Sequence, residues 1–147
     1  MPHGGRHSII IYIGWRAVLF IPLLMLRSFV LVALGSALGG VLRYSLTLFL
    51  PAGAGRWPWP TFVANVVGCG LLGLLSGYLL RHADGQSLRL FAVVGLCGGF
   101  TTFSTFAHEQ WTLLRTPMWP LALAYMALSL VAGLGLLALG FRLGSAI

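Results

Sequence analysis

The sequence predicts an all-α integral membrane protein of four transmembrane helices, the third broken at mid-membrane. Three observations predict it. Only 7% of the 147 residues are charged, where a soluble domain carries about 25%, so the chain could not cover its own surface in water. Four apolar stretches each reach the about 20 residues needed to cross a hydrocarbon core. The third is interrupted in its middle by a run of Gly, Thr and Ser between Gly95 and Phe106. The net charge of +7 comes from nine arginines facing two acids. They are scattered singly, without the clustered basic face that nucleic acid requires, so no nucleic-acid partner is expected. Cys69 and Cys97 lie in apolar runs and read as small buried thiols, neither a disulfide framework nor a zinc site.

Residues 1–26 form an uncertain extension and residues 27–147 the four-helix domain, with spans near 28–50, 61–81, 90–114 and 119–141. In the extension, Ser8 to Leu26 is apolar but broken by Gly14, Arg16 and Pro22, and no small-residue cleavage site precedes Arg27. It reads as an interfacial helix or as an upstream start, with Met25 the true one. The first span follows Arg27 and continues to Leu50 with Arg43 inside it. A turn from Pro51 to Pro60 holds Gly53, Gly55, Pro58 and the interfacial pair Trp57 and Trp59. Pro60 can open the second helix, where its missing N–H is not needed. That helix is clean from Thr61 to Leu80 and is ended by the polar stretch Arg81 to Gln86, which includes Asp84. A third turn, Pro117 to Pro120, holds Trp119, and the last span is closed by Arg142. There is no internal repeat.

If the spans alternate, Arg27, Arg81, Arg89 and Arg142 share one side and Arg43, Arg56 and Arg115 lie on or near the other. Orientation is set by a bias of basic residues. A near-tie permits insertion both ways; the alternative is one weakly signalled topology.

Polar groups within lipid are costly and therefore functional suspects. Thr61 and Asn65 stand four apart on one face of the second helix, as do Tyr125 and Ser129 on the fourth. For the hydroxyls, helix-to-helix hydrogen bonding is the plain reading. Asn65 weighs more, because its amide offers two N–H donors that could meet an anion or an oxygen ligand in a pore. In the third span, paired glycines followed by hydroxyl residues weaken the helix, and freed carbonyls at such breaks commonly hold a cation. Phe103 and Phe106 project from one face just after the break. Ring edges are positive and can line an anion's path without a fixed charge that would trap it; the bland alternative is packing. Arg43, followed by Tyr44, is either a snorkelling anchor or a buried positive charge attracting anions. Glu109 is the sole acid in a span, and no further ligand at metal spacing accompanies His108 and Glu109.

The run Gly98-Gly99-Phe100-Thr101-Thr102-Phe103-Ser104-Thr105-Phe106, with Glu109 three residues on, resembles the signature of the small dual-topology fluoride channels, the Fluc (CrcB-like) family. Gly35, Gly39, Gly40, Arg43 and Tyr44 on the first helix, Thr61, Asn65 and Gly68 on the second, and Tyr125 and Ser129 on the fourth fall in the matching order. The resemblance covers Arg27 to about Arg142. It implies an antiparallel homodimer in the bacterial inner (plasma) membrane that passes fluoride passively out of the cell through two pores. Phe103 and Phe106 would then be the fluoride-lining rings, Asn65 the pore amide, and Thr61, Tyr125 and Ser129 the polar track. Arg43 would be the positive residue near a vestibule. Backbone carbonyls of Gly98 and Thr101 from both copies would hold a structural sodium ion. Small-residue pairs, Gly35 with Gly39 and Gly73 with Gly77, are expected at or within the interface.

Three positions depart from the family's pattern. Pro60 stands where Gly is common, Gly133 stands where a track hydroxyl is frequent, and the extension has no counterpart. The competing readings are a small four-helix multidrug or cation exporter and an intramembrane hydrolase using Ser104 and His108 as a dyad. The exporter would need an acid that trades protons, and none lies in the first two helices. The dyad lacks an orienting Asp or Asn. The chain is therefore expected not to be an enzyme.

Overall fold

The computed structural model describes the backbone from Gly5 and the side chains from Met25, apart from residues 52, 54, 55, 83 and 84. The side chains of Arg6 and Arg16, together with Gly55 and Asp84, thus lie outside the described residues. Within those limits every regular element is helical: α1 (Gly5–Phe49), α2 (Trp59–Leu79), α3 (Gln86–Leu88), a π-helical stretch (Arg89–Cys97), α4 (Gly98–Phe100), α5 (Phe103–Leu114) and α6 (Trp119–Ala146). Among the described residues, four stretches are long and apolar enough to cross a membrane: Met25–Phe49, Trp59–Leu79, Gln86–Leu114 and Trp119–Ala146. Pro60 and Pro120 sit in the first turns of α2 and α6, where a missing N–H removes no helical hydrogen bond.

Glycine decides which helices touch. A Cβ on Gly35 would land on the Phe91 carbonyl oxygen, and one on Gly39 on the Leu96 carbonyl oxygen; Gly99 lies as tightly against Ser36. Rising residue numbers meet rising residue numbers, so the first and third spans run parallel. The same holds for α2 and α6, where Gly73 and Gly77 abut the carbonyls of Leu137 and Phe141, and Gly140 and Gly144 abut those of Gly70 and Leu74. Two parallel pairs are what four alternating spans require. At the end where α1 leaves its extension, Arg27 Nη2 donates to Ser87 Oγ at 2.9 Å, which ties the first span to the start of the third.

This corrects one expectation. Gly35, Gly39, Gly73 and Gly77 are spent inside a single chain, because the space a second copy would need is already filled by backbone of the neighbouring helix. Large apolar side chains instead line the outside, among them Phe29, Leu48, Val131 and Leu134. Lipid tails are as apolar as these side chains, so burying them gains little.

The third span is not one uniform helix. It opens as α3, widens into the π-helical stretch, returns to α-geometry in α4, and gives way to extended backbone at Thr101 (φ −81°, ψ 155°) and Thr102 (φ −150°, ψ 115°) before α5 resumes. Gly98 itself is regular α-helix (φ −63°, ψ −37°); the interruption falls on the two threonines that follow the glycines. Thr102 is the N-cap of α5, its hydroxyl oxygen accepting the Thr105 amide at 3.3 Å, a role for which an extended hydroxyl residue is well suited. Nothing in the local composition announces the π-helical stretch.

Candidate ion path

Interrupting a helix leaves donors and acceptors without their partners four residues away, and two side chains from neighbouring helices, Asn65 and Arg43, reach groups at the interruption. Asn65, on α2, receives the Thr102 amide on Oδ1 at 2.8 Å and donates Nδ2 to the Thr102 carbonyl at 3.1 Å. One Nδ2 hydrogen remains beyond that pair of bonds. Arg43, on α1, donates Nε to the Gly99 carbonyl at 3.2 Å. A cation at the C-terminal end of a helix also meets the negative pole of its dipole. Thr101 bonds back on the helix, its amide and hydroxyl both donating to the Cys97 carbonyl at 3.0 and 2.8 Å. Because the Thr102 amide goes to Asn65, the Gly98 carbonyl loses the donor an unbroken helix would supply.

Farther along α5 sits the acid. Glu109 accepts Thr61 Oγ1 on one carboxylate oxygen at 2.7 Å and Tyr125 Oη on the other at 2.9 Å. Thr61 and Tyr125, singled out separately on two helices, thus meet on a residue whose role the sequence left open. Hydrogen bonds to a charged acceptor are the stronger kind, about 1.5–3 kcal/mol each. Tyr125 is fully buried. Trp57 and Phe106 pack edge-on against its ring, with centroids 5.4 and 5.0 Å away. Phe103 and Phe106 have centroids 6.2 Å apart; Phe103 is 81% exposed, projecting from the chain.

A cleft of about 400 Å³ lies beside the interruption, lined by Asn65, Thr101, Thr102, Phe103, Phe106 and Ser129 among others and, among the described residues, by no charged side chain. Ser129 Oγ is buried without a partner. The site residues therefore divide. Asn65, Phe103, Phe106, Ser129, Gly98 and Thr101 line the cleft. Thr61 and Tyr125 meet on Glu109, and Arg43 holds the end of α4. Sequence reasoning passed over Gln110 and Trp57, both of which carry buried polar atoms without partners. The signal was slight: one amide beside the only acid in a span, and one indole among interfacial tryptophans.

Four apolar spans, with their polar groups gathered at an interrupted helix and at one clasped carboxylate, define a small multi-pass membrane protein. Residues 30–141 match the model of the family described as CrcB-like protein, Camphor Resistance (CrcB). The chain belongs to that family. It is 46% identical over 114 residues to a protein of Bordetella petrii named fluoride-specific ion channel FluC, covering 77% of this chain and 88% of the relative. Proteins of the same name from Thermus thermophilus (42% over 123 residues, 83% and 98% of the two chains) and Phocaeicola vulgatus (40% over 120 residues, 81% and 96%) are similar to it as well.

Proposed function

We propose that this chain is a fluoride-selective channel that lets fluoride leave the cytoplasm passively and so lowers its toxicity. One observation carries the reading. The cleft at the helix interruption offers an amide, hydroxyls and two aromatic rings and, among the described residues, no charged side chain. Fluoride needs strong donors to replace its water shell, and a fixed cation would hold it rather than pass it. The relatives' shared name agrees with that chemistry. Phe103 and Phe106 present ring edges, the spare Asn65 N–H and the Ser129 hydroxyl donate, and Thr61 and Tyr125 act beside them through Glu109. Arg43 supplies the nearby positive potential. An exporter's acid must be free to exchange protons, whereas both oxygens of Glu109 accept hydroxyl hydrogens. For a hydrolase, the Ser104 hydroxyl lies 3.3 Å from that of Thr102, and no bond joins it to His108 among the described residues.

The working unit is an antiparallel homodimer in the bacterial inner membrane, its third span broken at mid-membrane. Supporting this are the strong exposure of Phe103, which needs a partner surface to line a pore, and the near-balance of arginines between the two ends. The Gly98 and Thr101 carbonyls fit a sodium ion shared between copies. Gly98 is exposed on the single chain, its carbonyl has lost its helical donor to Asn65, and carbonyl oxygens are the ligands a hard cation prefers. Bound there, sodium would neutralise those dipoles and join the two subunits.

The test compares wild type with Phe106→Ile in liposomes loaded with fluoride. Wild type should release fluoride while Phe106→Ile, still dimeric, releases little. Equal release by the two would return the ring to packing and remove its part in conduction.

A further inference from the structure

A second cavity, apart from the ion path, lies in the hairpin formed by the end of α2, the turn after it and the start of the third span. It measures about 280 Å³, and its lining is graded. His82, Gln86 and Arg89 supply polar groups nearest the membrane surface. Leu79 and Val93 make an apolar wall one turn deeper, and the Ser76 hydroxyl stands at the same depth. The turn is folded back on α2, because Gly85 abuts the Leu79 side chain. His82 is fixed there as well: its Nδ1–H donates to the Tyr78 carbonyl at 2.9 Å, and its ring stacks on that of Tyr78 with centroids 4.0 Å apart.

Charge narrows the choice of occupant. Arg89 is an exposed cation at the mouth of the cavity. Around it, at the same end of the molecule, are Arg27, bonded to Ser87, Arg81, just past α2, and Arg142, on the last turns of α6 where Gly144 abuts Leu74 and Tyr78. Asp84 is the one acid in the turn. A guanidinium pairs two N–H groups with two phosphate oxygens, and polar groups at the surface above an apolar wall suit a ligand with a phosphate head and a hydrocarbon tail. A zwitterionic head brings its own cation to this basic end, whereas an anionic one does not. We propose that the hairpin cavity binds an anionic phospholipid, its phosphate on Arg89 and Gln86 beside His82, an ester carbonyl at Ser76, and an acyl chain along Leu79 and Val93. Basic pockets between membrane helices serve other proteins in this way. The bound lipid bridges α2 and the third span and stabilises the hairpin.

The test titrates full-length protein in neutral detergent with phosphatidylglycerol, phosphatidylcholine or inorganic phosphate, following bound lipid by native mass spectrometry and thermal unfolding in parallel. Phosphatidylglycerol should bind and raise the unfolding temperature, phosphatidylcholine should bind more weakly, and phosphate should shift nothing. Arg89→Gln should weaken phosphatidylglycerol binding about fivefold, the factor for one basic residue at an anionic membrane surface. Arg142→Gln removes the same charge at the same end but outside the cavity, and should change binding by less than about twofold. Both arginines are exposed, so both variants should unfold as wild type does without lipid. Equal losses in the two variants would mean diffuse attraction and overturn the proposal. Equal binding of the two lipids, or stabilisation by phosphate alone, would overturn it too. No fluoride enters these measurements, so their failure leaves the channel reading standing.

Discussion

Replacing Asn65 by Ala attacks the helix interruption at its most local support. The Asn65 carboxamide closes a two-bond ring on Thr102, at 2.8 Å to its amide and 3.1 Å to its carbonyl. Truncation strands the Thr102 amide in a half-buried site, whereas the Thr102 carbonyl, as the N-cap of α5, keeps the first intrahelical bond. A buried donor stripped of its partner costs about 1–3 kcal/mol. Side-chain hydrogen bonds between membrane helices measure lower, about 0.6 kcal/mol on average and 1.7 at most, because the unfolded chain in lipid also finds partners. The expected loss is therefore about 1–1.7 kcal/mol, where the two ranges overlap. Asn65→Asp separates the two bonds. It keeps an acceptor for the Thr102 amide but sets a carboxylate oxygen against the Thr102 carbonyl, so only part of the stability should return, while a negative charge beside the cleft should still suppress fluoride release. The assay is reversible unfolding in mixed micelles or bicelles, run beside liposome flux. A loss below about 0.3 kcal/mol for Asn65→Ala, under the average measured bond, would refute the claim that this side chain holds the interruption in place.

Glycine contacts give a sharper contrast. Gly39→Val would drive side-chain carbons into the Leu96 carbonyl and should destabilise the fold by about 1–3 kcal/mol or prevent its formation. Gly40→Ala, next in sequence but facing open space, should change stability by no more than about 0.5 kcal/mol; thermal unfolding of the two variants checks both. A reporter fused after Ile147 should be found on both faces of the membrane if the dimer is antiparallel, and a single face would argue for one fixed orientation.

The spans were legible because lipid permits little else: four apolar stretches divided by Pro, Gly and Trp could only be read as four helices. The interruption was legible too, since Gly98 and Gly99 ahead of Thr101 and Thr102 join a weakened helix to residues able to re-bond it. Its partners were not. Asn65 stood out as an amide in lipid, but that it bonds the backbone of Thr102, 37 residues away, depends on how α2 packs against the third span. The same is true of Arg43 reaching Gly99 and of Thr61 and Tyr125 converging on Glu109. The small-residue pairs were read correctly as sites of close approach, yet a one-dimensional pattern does not say which surface comes close, and Gly35 and Gly73 turned out to face their own chain. Gln110 escaped notice because an amide beside an acid looks like surface, yet the fold buries it.

The central claim is selective passage of fluoride, and the most direct measurement is ion release from liposomes holding the purified full-length chain, loaded in turn with fluoride and with chloride. Rapid fluoride release with chloride retained is the predicted result. Fluoride release no faster than from protein-free liposomes, or chloride leaving as fast as fluoride, would contradict it.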